Sequence, residues 1–247
     1  MGAPSSPYRW SITSNSDDLN ERLGRYIFDV SQSSIEHHGR FVLATSGGSL
    51  PKSFASALAR AVSSGLNLRT ECWHVFYADE RHVALDSADS NHAATLLALG
   101  GAPWWRATMH PIDPSLPLDA CANAYSGEVL EHVIDGAFDL VLLGMGPDGH
   151  TASLFPGHPL LADPTLRVAP ISDSPKPPPS RVTLTLPLIN ASRAVAFVAL
   201  GEGKAAQVAS IAAGSTDLPS ALVRQSSPGG VTWFLDPPSA SLLPSAK

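Results

Sequence analysis

The chain has 247 residues, of which 44% are hydrophobic and 15% charged, and this predicts a single folded domain, residues 1–247, with a substantial core. Its formal net charge of −6, without a basic stripe, argues against nucleic-acid binding and allows anionic small molecules only in a locally positive pocket. The longest apolar run, residues 194–200, is far too short to cross a membrane.

The amino-terminal residues lack the apolar core of a secretory signal. Met1-Gly2 followed by Ser6 fits the loose N-myristoylation pattern, although no polybasic second anchor follows. The two cysteines, Cys72 and Cys121, are expected to be reduced thiols, because disulfides are rare in chains without a signal. We therefore expect a cytoplasmic protein that does not bind membranes.

Short β-branched runs alternate with helical patterns along the chain. The first predicted strand is Phe41–Thr45, one helix is expected before it, and Pro51 opens another helix that runs to about Ser64. Further strands are predicted at residues 73–78, 138–143, 181–185, 194–200 and 231–235, and further helices at residues 119–133 and 204–213. Strands separated by helices imply βαβ units, so the predicted class is α/β, a three-layer αβα fold with a mostly parallel, Rossmann-like sheet and helices on both faces. Residues 174–180, the proline-rich loop, are expected at the surface, as a loop or hinge.

Four polar clusters follow predicted strands, at residues 46–49, 79–81, 144–151 and 201–204. In an open α/β sheet, ligands bind at the carboxyl ends of the strands. The coincidence of four clusters at such positions indicates a binding site more strongly than any one of them does.

Gly144, Gly146 and Gly149 satisfy the G-x-G-x-x-G pattern of a dinucleotide-binding turn. The context does not fit. Pro156-Gly157 interrupts the helix that such a turn should open, and position 169, where an acid is expected, is alanine. We therefore expect no nicotinamide cofactor, and indeed no cofactor of any kind.

The same glycines allow a sharp turn that would project Asp148 and His150 into a pocket. Histidine accepts a proton near neutral pH, and a nearby carboxylate can orient its ring and stabilise its charged form. The alternative is that Asp148 caps a following helix and His150 is a hydrogen-bonded surface residue.

The cluster at residues 46–49 joins a strand to a helix, where backbone N–H groups and the helix N-terminus favour an anion such as phosphate. An ordinary capped turn is the alternative, and the Walker spacing is absent. Arg81 could bind a phosphate with two N–H groups or pair with Asp79 or Glu80. Lys204 offers a second cation unless it is simply solvated, and Arg181 is a third candidate.

The other histidines show no metal-ligand spacing; they are His37, His38, His74, His82, His92, His110, His132 and His158. H-E-x-x-H, paired C-x-x-C and G-x-S-x-G motifs are also missing from the sequence. The sequence therefore predicts neither a metal site nor a nucleophilic serine.

In this order, these stretches resemble the 6-phosphogluconolactonase family. The resemblance extends from about residue 40 onward and rests on residues 46–49, 79–81, 89–91, 139–157, 181–187, 201–204 and 232–236. It implies metal-independent hydrolysis of 6-phospho-D-glucono-1,5-lactone, a phosphorylated sugar lactone, in the oxidative pentose phosphate pathway.

The resemblance also implies roles for single residues. His150 would be the general base that activates water, and Asp148 and Asp79 would be supporting acids whose separate roles stay open. The implied substrate-binding residues are Arg81, Lys204, Arg181 and the turn Ser46, Gly47, Gly48 and Ser49. Leu50 departs from the threonine of many relatives, which affects a side-chain contact but not the backbone anion site.

Two other functions compete with this interpretation. Glucosamine-6-phosphate deaminases share the architecture, but usually have Asp-Glu-Tyr where this chain has Asp79-Glu80-Arg81 and Asn-Glu-Pro where it has residues 154–157. A non-catalytic sugar-phosphate sensor would carry a basic DNA-binding region, and the residues before Phe41 show no helix-turn-helix pattern. Ammonia release and binding without turnover are the respective discriminating observations.

Overall fold

The computed structural model describes residues 8–224 and 230–244, so the myristoylation pattern at Met1-Gly2 and Ser6 lies outside the described residues. The strands, in chain order, are β1 (Tyr8–Ile12), β2 (Phe41–Thr45), β3 (Trp73–Tyr77), β4 (Asp79–Arg81), β5 (Thr108–Met109), β6 (Leu140–Gly144), β7 (Val168–Ile171), β8 (Arg181–Leu184), β9 (Val195–Ala199) and β10 (Val231–Leu235). The α-helices are α1 (Ser16–His38), α2 (Leu50–Ser63), α3 (Asn91–Leu99), α4 (Leu118–His132), α5 (Leu186–Ala191) and α6 (Ala205–Ala212).

Seven parallel strands form the central sheet in the order β1-β10-β9-β6-β2-β3-β5. Successive side chains of a strand point to opposite faces. In β2, Phe41 and Leu43 belong to the apolar cluster formed with α1 and α2, whereas Val42 and Ala44 belong to the cluster that contains residues of α4 and α6. Helices therefore cover both faces, and the predicted α/β class with a mostly parallel sheet is confirmed.

A second, antiparallel sheet of three strands, in the order β4-β8-β7, lies beside the carboxyl end of β3. Residues 79–81 follow a strand, as predicted, but they form a strand of their own that the sequence did not predict: Asp79 is paired with Thr183, and Arg81 with Arg181. This short strand could not be recognised from three polar residues, because the strand that it pairs with is about a hundred positions away.

Most predicted elements agree with the observed ones to within one or two residues. The strand predicted at 138–143 begins instead at Leu140, and the carboxylate of Asp139 just before it accepts the Val42 N–H at 2.8 Å. The assumption that Phe41 opens the first strand was wrong. Strand β1 precedes it and pairs with β10, and its half-exposed pattern at the sheet edge gives no clear strand signal.

The described residues also bear on the cysteines and on membrane-spanning helices. Cys72 and Cys121 are free thiols, as expected. No helix in the described residues has the length and apolar character that crossing a membrane requires.

Helices α1 and α2 pack closely at Gly24, where an added Cβ would lie 2.4 Å from the carbonyl oxygen of Ala57. Gly24→Ala should therefore lower the free energy of unfolding by roughly 1–3 kcal/mol through overpacking. Improved helix propensity, worth up to about 1 kcal/mol, offsets only part of this loss. Urea denaturation measures the difference.

Gly127 in α4 is the matched control, because it is exposed and an added Cβ there would meet no atom within 4 Å. Gly127→Ala should raise the free energy of unfolding by up to about 1 kcal/mol. Similar effects of the two substitutions would contradict the close contact between α1 and α2.

Candidate active site

The four polar clusters come together in one cleft at the carboxyl edge of the central sheet. Strands β9, β6, β2 and β3 are neighbours there, and the segment that follows each of them contributes to the wall. The cleft is lined by these sequence-predicted residues: Ser46, Gly47, Gly48, Ser49, Asp79, Arg81, His150, Arg181 and Lys204. Asp148 does not line the cleft, but it contacts His150 from behind.

The glycine-rich loop after β6 turns tightly enough to leave room for the imidazole of His150. A Cβ on Gly146 would lie 2.0 Å from ring atoms of His150, and Gly149 has a left-handed φ of 80°. The next α-helix along the described chain is α5, far beyond this loop. The glycines therefore do not open a dinucleotide-binding helix, and the alternative that Asp148 caps a helix is wrong.

The hydrogen bonds of His150 define its tautomer. Its Nδ1 is bonded to Asp148 Oδ1, and Lys176 Nζ lies 3.0 Å from the same Nδ1 and 3.2 Å from Asp148 Oδ2. Because a carboxylate only accepts and an ammonium only donates, both groups cannot bond Nδ1 at once. The closer contact with Asp148 assigns a proton to Nδ1, and Lys176 donates to the carboxylate. Nε2 is then unprotonated and able to accept a proton.

Charges around the ring set its protonation state. Burial lowers the pKa of His150 below its ordinary value, Asp148 and Asp79 oppose this, and Lys176 adds to it. Burial alone would raise the pKa of Asp148, but hydrogen bonds from His150 and Lys176 bring it to about 2. At neutral pH the carboxylate is thus ionised and the imidazole is neutral, which is the state of a base ready to accept a proton.

Asp79 belongs to a buried polar network and does not contact the imidazole directly. Its Oδ2 accepts a hydrogen bond from Ser153 Oγ at 2.8 Å and lies 3.7 Å from Arg181 Nη1. The amide of Asn91 donates to the Asp79 carbonyl at 2.7 Å. The two acids are therefore distinguished by their contacts: Asp148 holds the ring, and Asp79 supplies a fixed charge in the cleft wall.

Arg181 holds the proline-rich loop. Its Nε donates to the carbonyl of Pro178 at 3.0 Å, and its Nη2 donates to that of Lys176 at 2.9 Å. With Nη1 directed at Ser153 and Asp79, the buried guanidinium is largely used within the protein. Although Arg181 lines the cleft, these contacts favour positioning of the loop over binding of a substrate phosphate.

Lys176 is the site residue that sequence reasoning missed. It belongs to the proline-rich loop, where no motif predicts a role, and tertiary contacts alone bring its ammonium to Asp148 and His150. No signal in the sequence indicates these contacts.

Two cations and the N-terminus of one helix are available to bind an anion in the cleft. Arg81 donates from Nη1 to the Asp89 carbonyl at 2.6 Å, while its buried Nε has no partner in the described part of the chain. The expected alternative, an ion pair of Arg81 with Asp79 or Glu80, is not seen among the described residues. Glu80 instead accepts the N–H groups of Asn91 and His92 at the start of α3.

Lys204 also lines the cleft, and burial lowers its pKa, an effect to which the charge of Lys176 adds. Helix α2 begins at the turn formed by residues 46–49, and Ser49 makes no side-chain cap hydrogen bond to its first N–H groups. The Oγ of Ser46 is buried without a partner among the described residues. These free donors suit an anionic group, because a helix N-terminus carries partial positive charge.

The sequence is similar to those of known proteins over nearly the whole chain. The family model described as glucosamine-6-phosphate isomerases/6-phosphogluconolactonase matches residues 14–233. The 6-phosphogluconolactonase of Rattus norvegicus is 42% identical over 250 residues, which cover 98% of this chain and 96% of that protein. That of Homo sapiens is 42% identical over 251 residues, with the same two coverages of 98% and 96%.

Solved structures show the same relationship. The 6-phosphogluconolactonase of Trypanosoma brucei superposes with a TM-score of 0.80 at 29% identity, covering 96% of this chain and 98% of that one. A monomeric glucosamine-6-phosphate deaminase shares the fold with a TM-score of 0.74 at 20% identity, covering 95% of this chain and 99% of that one.

The contacts of His150 with Lys176 and Asp148 predict the direction in which its pKa changes when either partner is replaced. By NMR, its imidazole should titrate below the ordinary histidine pKa of about 6.5. Lys176→Met should raise that pKa, because it removes a positive charge, and Asp148→Asn should lower it, because it removes the partner of the imidazolium. Lys52→Met, on the exposed side of α2, is the matched control and should change nothing. An unchanged His150 titration in both cleft variants would rule out the assigned contacts.

Proposed function

The chain belongs to the glucosamine-6-phosphate isomerase and 6-phosphogluconolactonase family, and we propose that it hydrolyses 6-phospho-D-glucono-1,5-lactone to 6-phospho-D-gluconate in the oxidative pentose phosphate pathway. One observation supports this most strongly: a neutral imidazole with an accepting Nε2 lies in a cleft that is also lined by two cations and the N-terminus of α2. A base and an anion site are the two things this reaction needs.

The chemical step assigns the base to His150. Its Nε2 takes a proton from water as the water oxygen attacks the lactone carbonyl, and Asp148 stabilises the resulting imidazolium through Nδ1–H. The imidazolium then returns the proton to the ring oxygen as the C–O bond breaks, giving the open-chain acid. The negative charge of Asp79 favours the imidazolium form of His150.

Phosphate recognition is assigned to the cations and the turn that line the same cleft. Arg81 and Lys204 supply positive charge, and the turn of residues 46–49 supplies backbone N–H groups at the start of α2. Ser46 adds a hydroxyl without a partner among the described residues. An acidic protein can bind an anion in this way because the positive charges are concentrated in the cleft.

The proposed step uses neither a metal nor a covalent nucleophile. A lactone carbonyl is an activated acyl group, so a positioned base and water are sufficient. We also retain the sequence-based proposals of a single domain over residues 1–247 and a cytoplasmic location, with no nucleic-acid partner, as expected from the net charge of −6.

The test is turnover of freshly prepared 6-phosphogluconolactone by the purified protein in buffer containing EDTA, corrected for spontaneous hydrolysis. We expect formation of 6-phosphogluconate and no ammonia release from glucosamine 6-phosphate. Ammonia release would favour the deaminase, and binding of 6-phosphogluconate without turnover would favour a sensor. Loss of turnover in EDTA would contradict the metal-independent step.

Substitution of the base should separate chemistry from binding. His150→Ala should lower kcat by roughly 10²–10⁴-fold, the usual contribution of general-base catalysis, with little change in 6-phosphogluconate affinity. The wild-type rate should fall as the pH drops through the lowered pKa of His150 and be level above it, because only the neutral imidazole accepts the proton. His37→Ala, exposed at the end of α1, is the control. Near-normal turnover of folded His150→Ala would return this histidine to a structural role.

Substitution of the cations should weaken substrate binding, in contrast to substitution of the base. Arg81→Ala or Lys204→Ala should raise KM roughly 10- to 150-fold, since a charge-assisted hydrogen bond contributes about 1.5–3 kcal/mol. Unphosphorylated gluconolactone should be a poor substrate for the same reason. Arg60→Ala, which removes an exposed charge paired with Glu21, should leave KM unchanged. Equal efficiency on both lactones would contradict the assigned phosphate site.

A further inference from the structure

Three histidines meet at the end of β3 that is remote from the cleft. His74 is the second residue of β3, His110 directly follows β5, and His132 is the last residue of α4. One ring nitrogen from each lies within 4.8 Å of the others. The cleft residue Asp79 is five positions beyond His74, which is roughly 16 Å of extended chain. The sequence did not indicate this cluster, because separate elements supply its members.

One residue, Glu128, orients two of the three rings. Its carboxylate Oε1 lies 2.7 Å from His110 Nδ1, and its backbone carbonyl lies 2.9 Å from His132 Nδ1. Both oxygens can only accept, so each Nδ1 carries a proton and each Nε2 has a free lone pair. Metal-ligating histidines characteristically donate their other ring N–H to a carboxylate or a backbone carbonyl in this way.

The third ring completes the arrangement. His74 Nδ1 lies 3.0 Å from His110 Nε2, and because His110 Nε2 is unprotonated, His74 donates this hydrogen bond. A shift of the His74 proton from Nδ1 to Nε2 would give a third inward lone pair without changing the charge of the protein. Cation binding therefore needs a change of tautomer at His74, and no loss of a proton.

We propose that His74, His110 and His132 bind one Zn²⁺ ion, with water as the fourth ligand. Imidazole nitrogens are ligands that zinc prefers, and they lie 2.0–2.1 Å from a tetrahedral ion, which puts them about 3.3 Å apart. The present spacing, 3.0 Å for one pair and up to 4.8 Å overall, needs only side-chain adjustment. None of the three rings lines the cleft, so the ion would take no part in the reaction proposed there.

The exposure and the charges around the three histidines allow a cation to bind there. His74 and His132 are half-buried, so solvent reaches the cluster, whereas His110 is buried against Phe76, with ring centroids 4.2 Å apart. The negative charge of Glu128 lies beside His110 and opposes the positive charge of Arg40 near His74.

Zinc would connect β3, the segment after β5 and the end of α4, which are brought together only in the folded chain. It should therefore stabilise the native state by mass action. At a hundredfold excess of Zn²⁺ over its dissociation constant, we expect Tm to rise by roughly 5–10 °C. Isothermal titration of the metal-free protein should give one Zn²⁺ per chain, and Co²⁺ should show the visible absorption of a tetrahedral complex.

Substitutions can show which residues bind the ion. His132→Ala should abolish the Co²⁺ spectrum and the Tm rise, and Glu128→Gln should weaken Zn²⁺ binding about 10- to 100-fold by removing the carboxylate behind His110. His37→Ala, elsewhere on the surface, and His150→Ala, in the cleft, should both retain one ion with unchanged affinity. Circular dichroism of the metal-free variants confirms that each is folded.

Two outcomes would overturn the proposal. Undiminished Zn²⁺ binding in both His132→Ala and Glu128→Gln would show that the three rings are only a packed cluster. Loss of the ion in His150→Ala would place it in the cleft. Lactone turnover by metal-free and zinc-loaded wild type should be equal, so failure of this proposal and failure of the proposed lactonase reaction are distinguishable.

Discussion

Strands β9, β6, β2 and β3 lie side by side and run in the same direction, and the position of the cleft follows from this. Parallel strands end at one edge of their sheet, so the segments that follow these four strands must leave from that edge. Residues that are far apart in the chain, such as Ser46, Asp79, His150 and Lys204, thereby line one cleft. The buried core of the sheet thus determines which polar groups meet.

Within the cleft, close packing around His150 explains a pattern that is ambiguous in the sequence. A glycine is needed at position 146 because the imidazole occupies the space that a side chain would fill. A dinucleotide fold needs glycines at the same spacing for another reason, the approach of a pyrophosphate to a helix N-terminus. The spacing alone cannot distinguish these causes. The structure can, because no α-helix directly follows the loop: the next α-helix along the described chain is α5.

How much the sequence predicted depends on the range of the interactions involved. The central strands β2, β6 and β9 were predictable because buried parallel strands are continuous apolar runs. Strands β1 and β4 were not, since one is a half-exposed edge strand and the other consists of three polar residues paired with β8. The presence of His150 and Arg81 in the cleft followed from their positions after strands. Lys176 and the histidine cluster depend on contacts between distant segments, for which a single sequence gives no signal.

The charges in the cleft are linked through Arg181. Its guanidinium contacts Asp79 on one side and the carbonyls of the proline-rich loop on the other, so it joins two walls that the sheet alone does not connect. Because that loop contains Lys176, the same contacts place the ammonium beside Asp148 and His150. Arg181 therefore positions the lysine whose charge lowers the pKa of His150. The electrostatics of the base thus depend on the packing of a loop as much as on the residues in contact with the ring.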